Sequence, residues 1–367
     1  MRIAYVTLHW PRTAASSTGN KIIQHMEQWR KAGHAVKFFS HMHELEQPED
    51  LVEGSYYSYK INHGFIGRIQ TELSRIKAVK KMIAAVKDYH PDIIYLRWSI
   101  YVFPVQRLLL IAPSILEINT NDVEEHKHLG FLKYLYNRLT RWMVYRFSSG
   151  MVFVTNELSK LNVFQKFKKP FCVIGNGINI SETVFFEPPN NRIPRLLFLG
   201  TEGMIWHGVE KLIFFSREYP DVIVDVVGFE DVQIKENLPK NLVLHGFLTG
   251  NSLDQILEKT DCAIGTMSLY QKGLTEASPI KTRQYLASGI PSILPYCDTD
   301  LKDLNTEFIL RIPNHRNNIQ THGQEIHDFV YAMRGKRVPR NLIFDRLDSS
   351  VKETERLRFF ARILKQT

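Results

Sequence analysis

Short apolar runs alternate with stretches of helical periodicity along the whole chain, and the alternation restarts after one proline- and asparagine-rich break. Ile3–Leu8, Ala35–Ser40, Ile93–Leu96, Ile115–Ile118, Met151–Thr155 and Phe171–Ile174 read as a first series of strands. Leu196–Gly200, Val222–Val227, Val243–Gly246, Cys262–Thr266 and Ile290–Pro295 read as a second. Apolar runs of this kind are what parallel strands need, because helices cover both faces of their sheet. Lys21–Lys31, Gly67–Tyr89 and Ser252–Lys259 supply helices between them, in the order of doubly wound α/β folds. Glu187–Pro194 (EPPNNRIP) reads as the linker. A length of 367 residues suits two such domains with a cleft between them.

Within the second series, Lys272–Pro295 (KGLTEASPIKTRQYLASGIPSILP) concentrates the chemistry. Ser278 suits a helix N-cap, Pro279 the first helical position, Ile280–Ser288 a short helix, and Gly289 its left-handed stop. Glu276 then arrives just before a helix end whose N–H groups favour an anion. Lys281 and Gln284, three apart, share a face. An ordinary capped helix accounts for the same pattern; a pyrophosphate flanked by sugar hydroxyls is the ligand that would use it. In the first series, a polar loop from His9 to Thr18 leads to Gly19 and Asn20, which open the first helix. Gly19 serves either as a simple helix start or as a point where backbone approaches a phosphate. The G-x-G-x-x-G fingerprint of dinucleotide binding is missing.

The formal charge of +9 calls for anionic partners. Two basic stretches, Gly67–Tyr89 and Lys127–Phe147, carry much of it, and the second interleaves Arg138 and Arg141 with Phe131, Tyr134 and Trp142. Such helices lie either on an anionic bilayer or on a protein core with their charges in water. Cys172, Cys262 and Cys297 form no CxxC, which points to a reducing compartment and no zinc site. His41 and His43 lack a third metal ligand at suitable spacing, and Asp298-x-Asp300 reads as a turn. With no apolar run of 18 residues and no signal-peptide pattern, the expectation is a cytoplasmic protein, peripheral to the membrane at most. Serine-hydrolase, P-loop and nucleic-acid-binding motifs are missing, so no nucleic acid is expected as partner.

Several segments, in order, resemble the retaining glycosyltransferases of family 4, which have the two-domain GT-B fold. Val173–Gly177 (VIGNG), Leu196–Gly208 (LLFLGTEGMIWHG), Asp225–Gly228 (DVVG) and Asn241–Gly246 (NLVLHG) resemble its inter-domain turn and C-domain strands. Glu276–Gln284 occupies the place of its E-x7-E motif. Three departures stand out. Gln284 replaces the second glutamate, Thr201 and His207 stand where Arg and Lys usually meet the diphosphate, and Asn119–Asp122 fill the region of an N-domain histidine.

The resemblance implies two Rossmann-like domains facing across a cleft: an acceptor-binding domain at 1–175, a nucleotide-sugar-binding domain at 176–345, and a C-terminal helix in 346–367 that packs back toward the first. It implies transfer of a sugar from a nucleoside diphosphate sugar, with retained configuration, no metal and no other cofactor. Glu276 would hold donor-sugar hydroxyls, Gln284 the ribose, and Lys281 with the amides of Ser278, Pro279 and Ile280 the leaving diphosphate. His207 and Thr201 would assist, Gly19 and Asn20 would close from the other domain, and Phe229, His245, Gly246 and Phe247 would flank the nucleobase. Arg97, Asn119 and Asp122 are the acceptor-side candidates. A glycan or lipid-linked glycan in bacterial surface polysaccharide assembly is the expected acceptor, with an anionic membrane surface as a further partner. The alternatives are a GT-B sugar-nucleotide epimerase and a non-catalytic nucleotide-sugar binder.

Overall fold

A computed structural model describes residues 1–10, 16–44, 52–230 and 237–366. Its contacts divide the chain into two units, Met1–Gly175 with Ser349–Thr367, and Asn176–Asp348. The first unit holds β1 (Arg2–Thr7), β2 (Ala35–His43), β3 (Ser55–Tyr59), β4 (Ile93–Arg97), β5 (Ser114–Ile118), β6 (Gly150–Phe153) and β7 (Phe171–Val173). They form one parallel sheet in the order β3-β2-β1-β4-β5-β6-β7. Its helices are α1 (Ser17–Lys31), α2 (Gly64–Tyr89), α3 (Asp122–His128), α4 (Phe131–Phe147), α5 (Asn156–Lys160) and α6 (Asn162–Gln165). Ile3, Tyr5, Phe38, Ile93, Tyr95, Ile115 and Val152 are the fully buried residues that the sheet gives to the core.

The second unit holds β8 (Arg195–Leu199), β9 (Ile223–Val227), β10 (Leu242–Leu244), β11 (Cys262–Ile264), β12 (Glu276–Ala277), β13 (Ser292–Leu294), β14 (Cys297–Asp298) and β15 (Ile309–Arg311). Six of them form a parallel sheet in the order β10-β9-β8-β11-β13-β15, while β12 pairs with β14 alone. α7 (Val209–Glu218), α8 (Gly250–Lys259), α9 (Ile280–Ala287), α10 (Asn318–Met333) and α11 (Arg340–Leu347) complete it. The last helix, α12 (Ser349–Leu364), lies on the first unit. Its Phe360 ring sits 5.3 Å from Trp29 and 5.4 Å from Tyr95, and Trp29 Nε1 donates to Glu353 at 2.7 Å.

Each sheet reverses its winding once, beside β1 and β4 in the first unit and beside β8 and β11 in the second. Ligands of open parallel sheets sit at the carboxyl ends of strands flanking that point.

The structure departs from the sequence reading in several places. The polar loop expected from His9 to Thr18 lies partly outside the described residues, since 11–15 are not described. α1 starts at Ser17, so Gly19 and Asn20 lie inside its first turn. The basic stretch Lys127–Phe147 divides into α3 and α4, because Gly130 adopts φ +115° between them. The N-cap of α9 is Pro279, not Ser278, whose Oγ instead accepts the Asn176 N–H at 2.7 Å. Asp298 is a strand residue in β14 rather than part of a free turn.

Candidate active site

The carboxyl end of β8 is built by close backbone approach. Gly228, at φ +93°, lies so near Gly200 that a Cβ there would run into the Gly200 carbonyl. Only glycine tolerates both that conformation and that distance. Gly200 N–H donates to the Val227 carbonyl at 2.9 Å, Gly228 N–H to Gly246 at 2.6 Å, and Gly246 N–H to Phe229 at 3.0 Å. The three strand ends are thereby tied into one floor. The loop after β8 is tied to the loop after β11 by Met267 N–H to His207 at 3.3 Å and Ser268 N–H to Trp206 at 3.0 Å.

Lys281 of α9 reaches this floor. Its Nζ donates to the Leu199 carbonyl at 2.8 Å and lies 4.2 Å from the Phe198 ring centre. The stem keeps some contact with solvent, but the ammonium is inside, and burial pushes its pKa down to about 7. His207 stands beside the same ring, 5.6 Å from Phe198 and 6.4 Å from Phe229. Its Nδ1 accepts the Thr201 N–H at 3.1 Å, which leaves Nε2–H as its donor. Burial, with the Lys281 charge adding to it, pushes His207 down to about 3. His207 is thus a neutral hydrogen-bond donor at physiological pH, and it contributes no cation to a phosphate. The structure brings Thr201, His207, Phe229 and Lys281 together at the switch point.

Glu276 is buried on β12. The side chain that holds its surroundings was not singled out in the sequence reading. Arg283, fully buried on α9, binds both Asp298 and Asp300, with Nη2 to Asp298 Oδ1 at 2.9 Å, and donates Nε to the Asn176 carbonyl at 3.0 Å. This clamp joins α9 to β14, and β14 pairs with β12 through Glu276 and Cys297. The signal was present as a charge inside the buried run of α9, followed by the D-x-D. Tyr285 OH takes the Leu199 N–H at 2.7 Å and so fixes α9 to the end of β8. α9 opens on Pro279, which makes no side-chain cap bond to the helix's first amides. Ile280 and Gln284 are both half-buried on this helix.

Two residues expected at the nucleobase are not equivalent. His245 Nε2 meets Asp225 Oδ1 at 2.7 Å, and Asp225 also holds Arg195 through Nε at 2.9 Å and Nη2 at 2.7 Å. His245 is thus tied through Nε2 to a buried carboxylate on β9. Phe247 is 75 % exposed.

In the first unit, Glu117 of β5 is completely buried and gathers the charges at the strand ends. Lys21 pairs with it and donates to Asn119 Oδ1 at 2.9 Å, and Arg97 Nη1 reaches both of its oxygens at 3.3 Å. Burial alone would raise Glu117, but Lys21 and Arg97 hold it well below the usual carboxylate range. Burial also pulls Lys21 down to about 8, against the pull of Glu117. Arg97 and Asn119 therefore share one cluster beside the β1/β4 switch point. Gly19 is buried, and its N–H is taken by Ser16 Oγ at 3.0 Å, whereas Asn20 is exposed. Asp122 is not part of that cluster. It is buried in a two-point pair with Arg141, 2.8 Å on each side, and accepts from Asn137 at 3.0 Å. It joins α3 to α4. No group of three His, Cys, Asp or Glu side chains that could hold a metal ion occurs among the described residues.

Residues 21–182 match the family model described as Glycosyltransferase Family 4. No curated protein gives a sequence match. Solved structures match over nearly the whole chain. The apo lipopolysaccharide outer core galactosyltransferase WaaB aligns at 11 % identity and TM-score 0.67, covering 99 % of this chain and 100 % of that one. Anabaena Alr3699/HepE, solved with UDP and glucose, aligns at 12 % and 0.62, covering 98 % and 99 %. An alpha-glucosyltransferase solved with UDP and a DNA 13-mer aligns at 13 % and 0.64, covering 98 % and 100 %. The fold is that of the GT-B proteins, with two Rossmann-like α/β domains.

Proposed function

We propose that this chain, a glycosyltransferase of the GT-B type whose residues 21–182 match Glycosyltransferase Family 4, moves a sugar from a nucleoside diphosphate sugar to an acceptor hydroxyl with retention of configuration. The observation that carries the reading is the Lys281 ammonium beside the uncapped start of α9, at the switch point of the second sheet. That is where an open parallel sheet takes its ligand, and both groups favour an anion. The UDP held by two structurally similar proteins supports a nucleoside diphosphate as the leaving group.

In this mechanism the acceptor oxygen attacks the anomeric carbon from the face the leaving group departs. The bond to the diphosphate oxygen breaks, and the acceptor proton passes to that oxygen. Lys281 and the α9 amides stabilise the growing charge, which is electrostatic catalysis of the oxyanion kind and requires no metal. His207 Nε2–H adds one neutral hydrogen bond. Glu276 orients the donor-sugar hydroxyls, and Gln284 binds the ribose through its amide. The acceptor is assigned as a lipid-linked oligosaccharide of bacterial surface polysaccharide assembly, on the strength of the basic helices and the WaaB-like fold.

Thermal stability in the presence of nucleoside diphosphates and their sugars tests the reading. A ligand bound only by the folded state raises the midpoint. A rise with one nucleoside diphosphate is expected, followed by transfer to lipid-linked acceptors with an α- or β-linkage matching the donor. Donor binding without transfer to any acceptor supports a non-catalytic binder, and a changed sugar without transfer supports an epimerase. Transfer to duplex DNA would overturn the acceptor assignment.

A further inference from the structure

We infer that Lys211 is a positioning residue for the donor site: its buried ammonium holds the segment between β11 and β12, and through that segment His207 and Glu276. Lys211 lies in the first turn of α7 and is 3 % exposed. Its Nζ donates to the Met267 carbonyl at 2.9 Å, to the His315 carbonyl at 3.1 Å and to Asn318 Oδ1 at 2.7 Å. These oxygens belong to three separate stretches: the loop after β11, the loop after β15 and the start of α10. An ammonium offers three donors from one atom, so a single side chain can gather all three.

The three partners are neutral, and burying a cation among neutral groups is unfavourable. Burial accordingly pulls the Lys211 pKa down to about 8. Its neighbours Leu212, Ile213 and Phe215 belong to the apolar core, where a methionine would fill similar space without that cost. A charge kept where local rules favour an apolar residue is the mark of a functional constraint.

The Met267 peptide is where the clamp reaches the site. Its carbonyl takes Lys211 and also Asn318 Nδ2 at 3.1 Å, while its N–H donates to the His207 carbonyl at 3.3 Å. Ser268 N–H donates to the Trp206 carbonyl at 3.0 Å, so two consecutive peptides tie the clamped segment to the loop that bears His207. Farther along, Lys211 Nζ stands 5.0 Å from the Tyr270 ring centre. Asn314 fixes the same turn, accepting the Tyr270 N–H at 3.0 Å and donating to the Leu274 carbonyl at 2.8 Å. The chain then enters β12 at Glu276. The cation assigned to the diphosphate is held separately, since Lys281 rests on the Leu199 carbonyl and Tyr285 ties α9 to the Leu199 N–H. Lys211 therefore acts mainly on the sugar end of the donor. The inference rests on the reaction proposed above only for the roles of His207 and Glu276.

Lys211→Met tests it by two independent readings. Without substrate, hydrogen exchange at the amides of Met267, Ser268 and Tyr270 should quicken by about tenfold or more, with the amides of Leu197 and Phe198 in β8 unchanged. In catalysis kcat should fall by about tenfold or more, because a small misplacement of an orienting group is costly, while the thermal shift given by the nucleoside diphosphate alone is retained. The midpoint itself should stay within about 4 °C of wild type. Met267 and Asn318 Oδ1 keep other donors, in Asn318 Nδ2 and the Ile319 N–H. Asn314→Ala, at a half-buried position, should quicken exchange at Tyr270 and lower kcat in the same direction, and it decides the matter if Lys211→Met does not fold. Unchanged exchange in the loop overturns the inference, and so does faster loop exchange with wild-type kcat. A large fall in the midpoint with faster exchange throughout β8 also overturns it, since Lys211 would then serve stability alone. Wild-type protein that binds no nucleoside diphosphate strikes the proposed reaction instead, and the exchange measurement still decides the clamp.

Discussion

Lys281 Nζ donates to the carbonyl of Leu199 at 2.8 Å, and through this bond a cation from the second half of the second sheet is held at the end of that sheet's first strand. The loop at that strand end offers Thr201 and a neutral His207, neither of which brings charge. In the reaction proposed above, the diphosphate's positive partner comes from the helix and not from this loop.

Lys281→Ala should lower kcat/KM by about 100-fold or more, the loss typical of removing a donor aimed at developing negative charge. Its folding stability should change far less, because burying the ammonium is itself unfavourable, as its depressed pKa shows. Steady-state kinetics beside urea denaturation separates the two; a variant with wild-type kcat removes Lys281 from the mechanism.

The same residue sets a pH dependence. Because burial brings the free protein's Lys281 to about 7, it is charged below that pH and loses its proton above it. Diphosphate affinity and kcat/KM should therefore fall as pH rises through about 7, the signature of an essential protonated group in the free enzyme. Lys281→Arg should abolish the fall, since a guanidinium stays charged throughout. Titration calorimetry with the nucleoside diphosphate across pH 6 to 9 measures it.

Arg283 should be a stability residue with a kinetic signature. Replacing it by Met leaves Asp298 and Asp300 without their shared cation, Asp298 being wholly enclosed, and such losses cost about 3–5 kcal/mol. Since the clamp borders the strand that bears Glu276, the surviving folded protein should also lose kcat. Urea titration and kinetics on the same preparation check both.

His25 should make the first unit sensitive to acid. Burial pushes its pKa down to about 3, against an ordinary value of 6.5. Between those values the unfolded chain binds a proton that the folded one does not, so stability is complete above about 6.5 and is lost progressively as pH falls. His41, near 4, and His207, near 3, act with the same sign. The midpoint of thermal unfolding should drop between pH 6.5 and 5, and less steeply in His25→Gln. An unchanged slope would assign the acid sensitivity to the other groups.

Gly228→Ala should destabilise the second unit by roughly 2–4 kcal/mol, combining strain at φ +93° with a clash against the Gly200 carbonyl. Chemical denaturation measures the loss, and donor binding should weaken with it because the clash falls on the site's floor.

The strands that were legible in the sequence are those covered on both faces. Ile93–Leu96 and Leu196–Phe198 read as apolar runs because each residue is buried whichever way it points. β3, with the sequence SYYSY, carries no such run and was missed, and β12 and β14 are two residues each, too short for any periodicity. At the site, the residue types around Glu276 and Lys281 were readable, but their partners were not. Nothing local in the sequence pairs Asp122 with Arg141 or His245 with Asp225.

The sequence by itself determined the α/β class and the winding of two parallel sheets, because burial on both faces writes itself into consecutive residues. It also determined that a glutamate, a lysine and a glutamine surround one helix start. Only the tertiary structure decided which charges are spent on one another, that His207 is neutral, and that Phe65 and Leu132 face water. Those outcomes depend on distances between segments far apart in the chain and on the loss of solvent where they meet, and no local pattern records either.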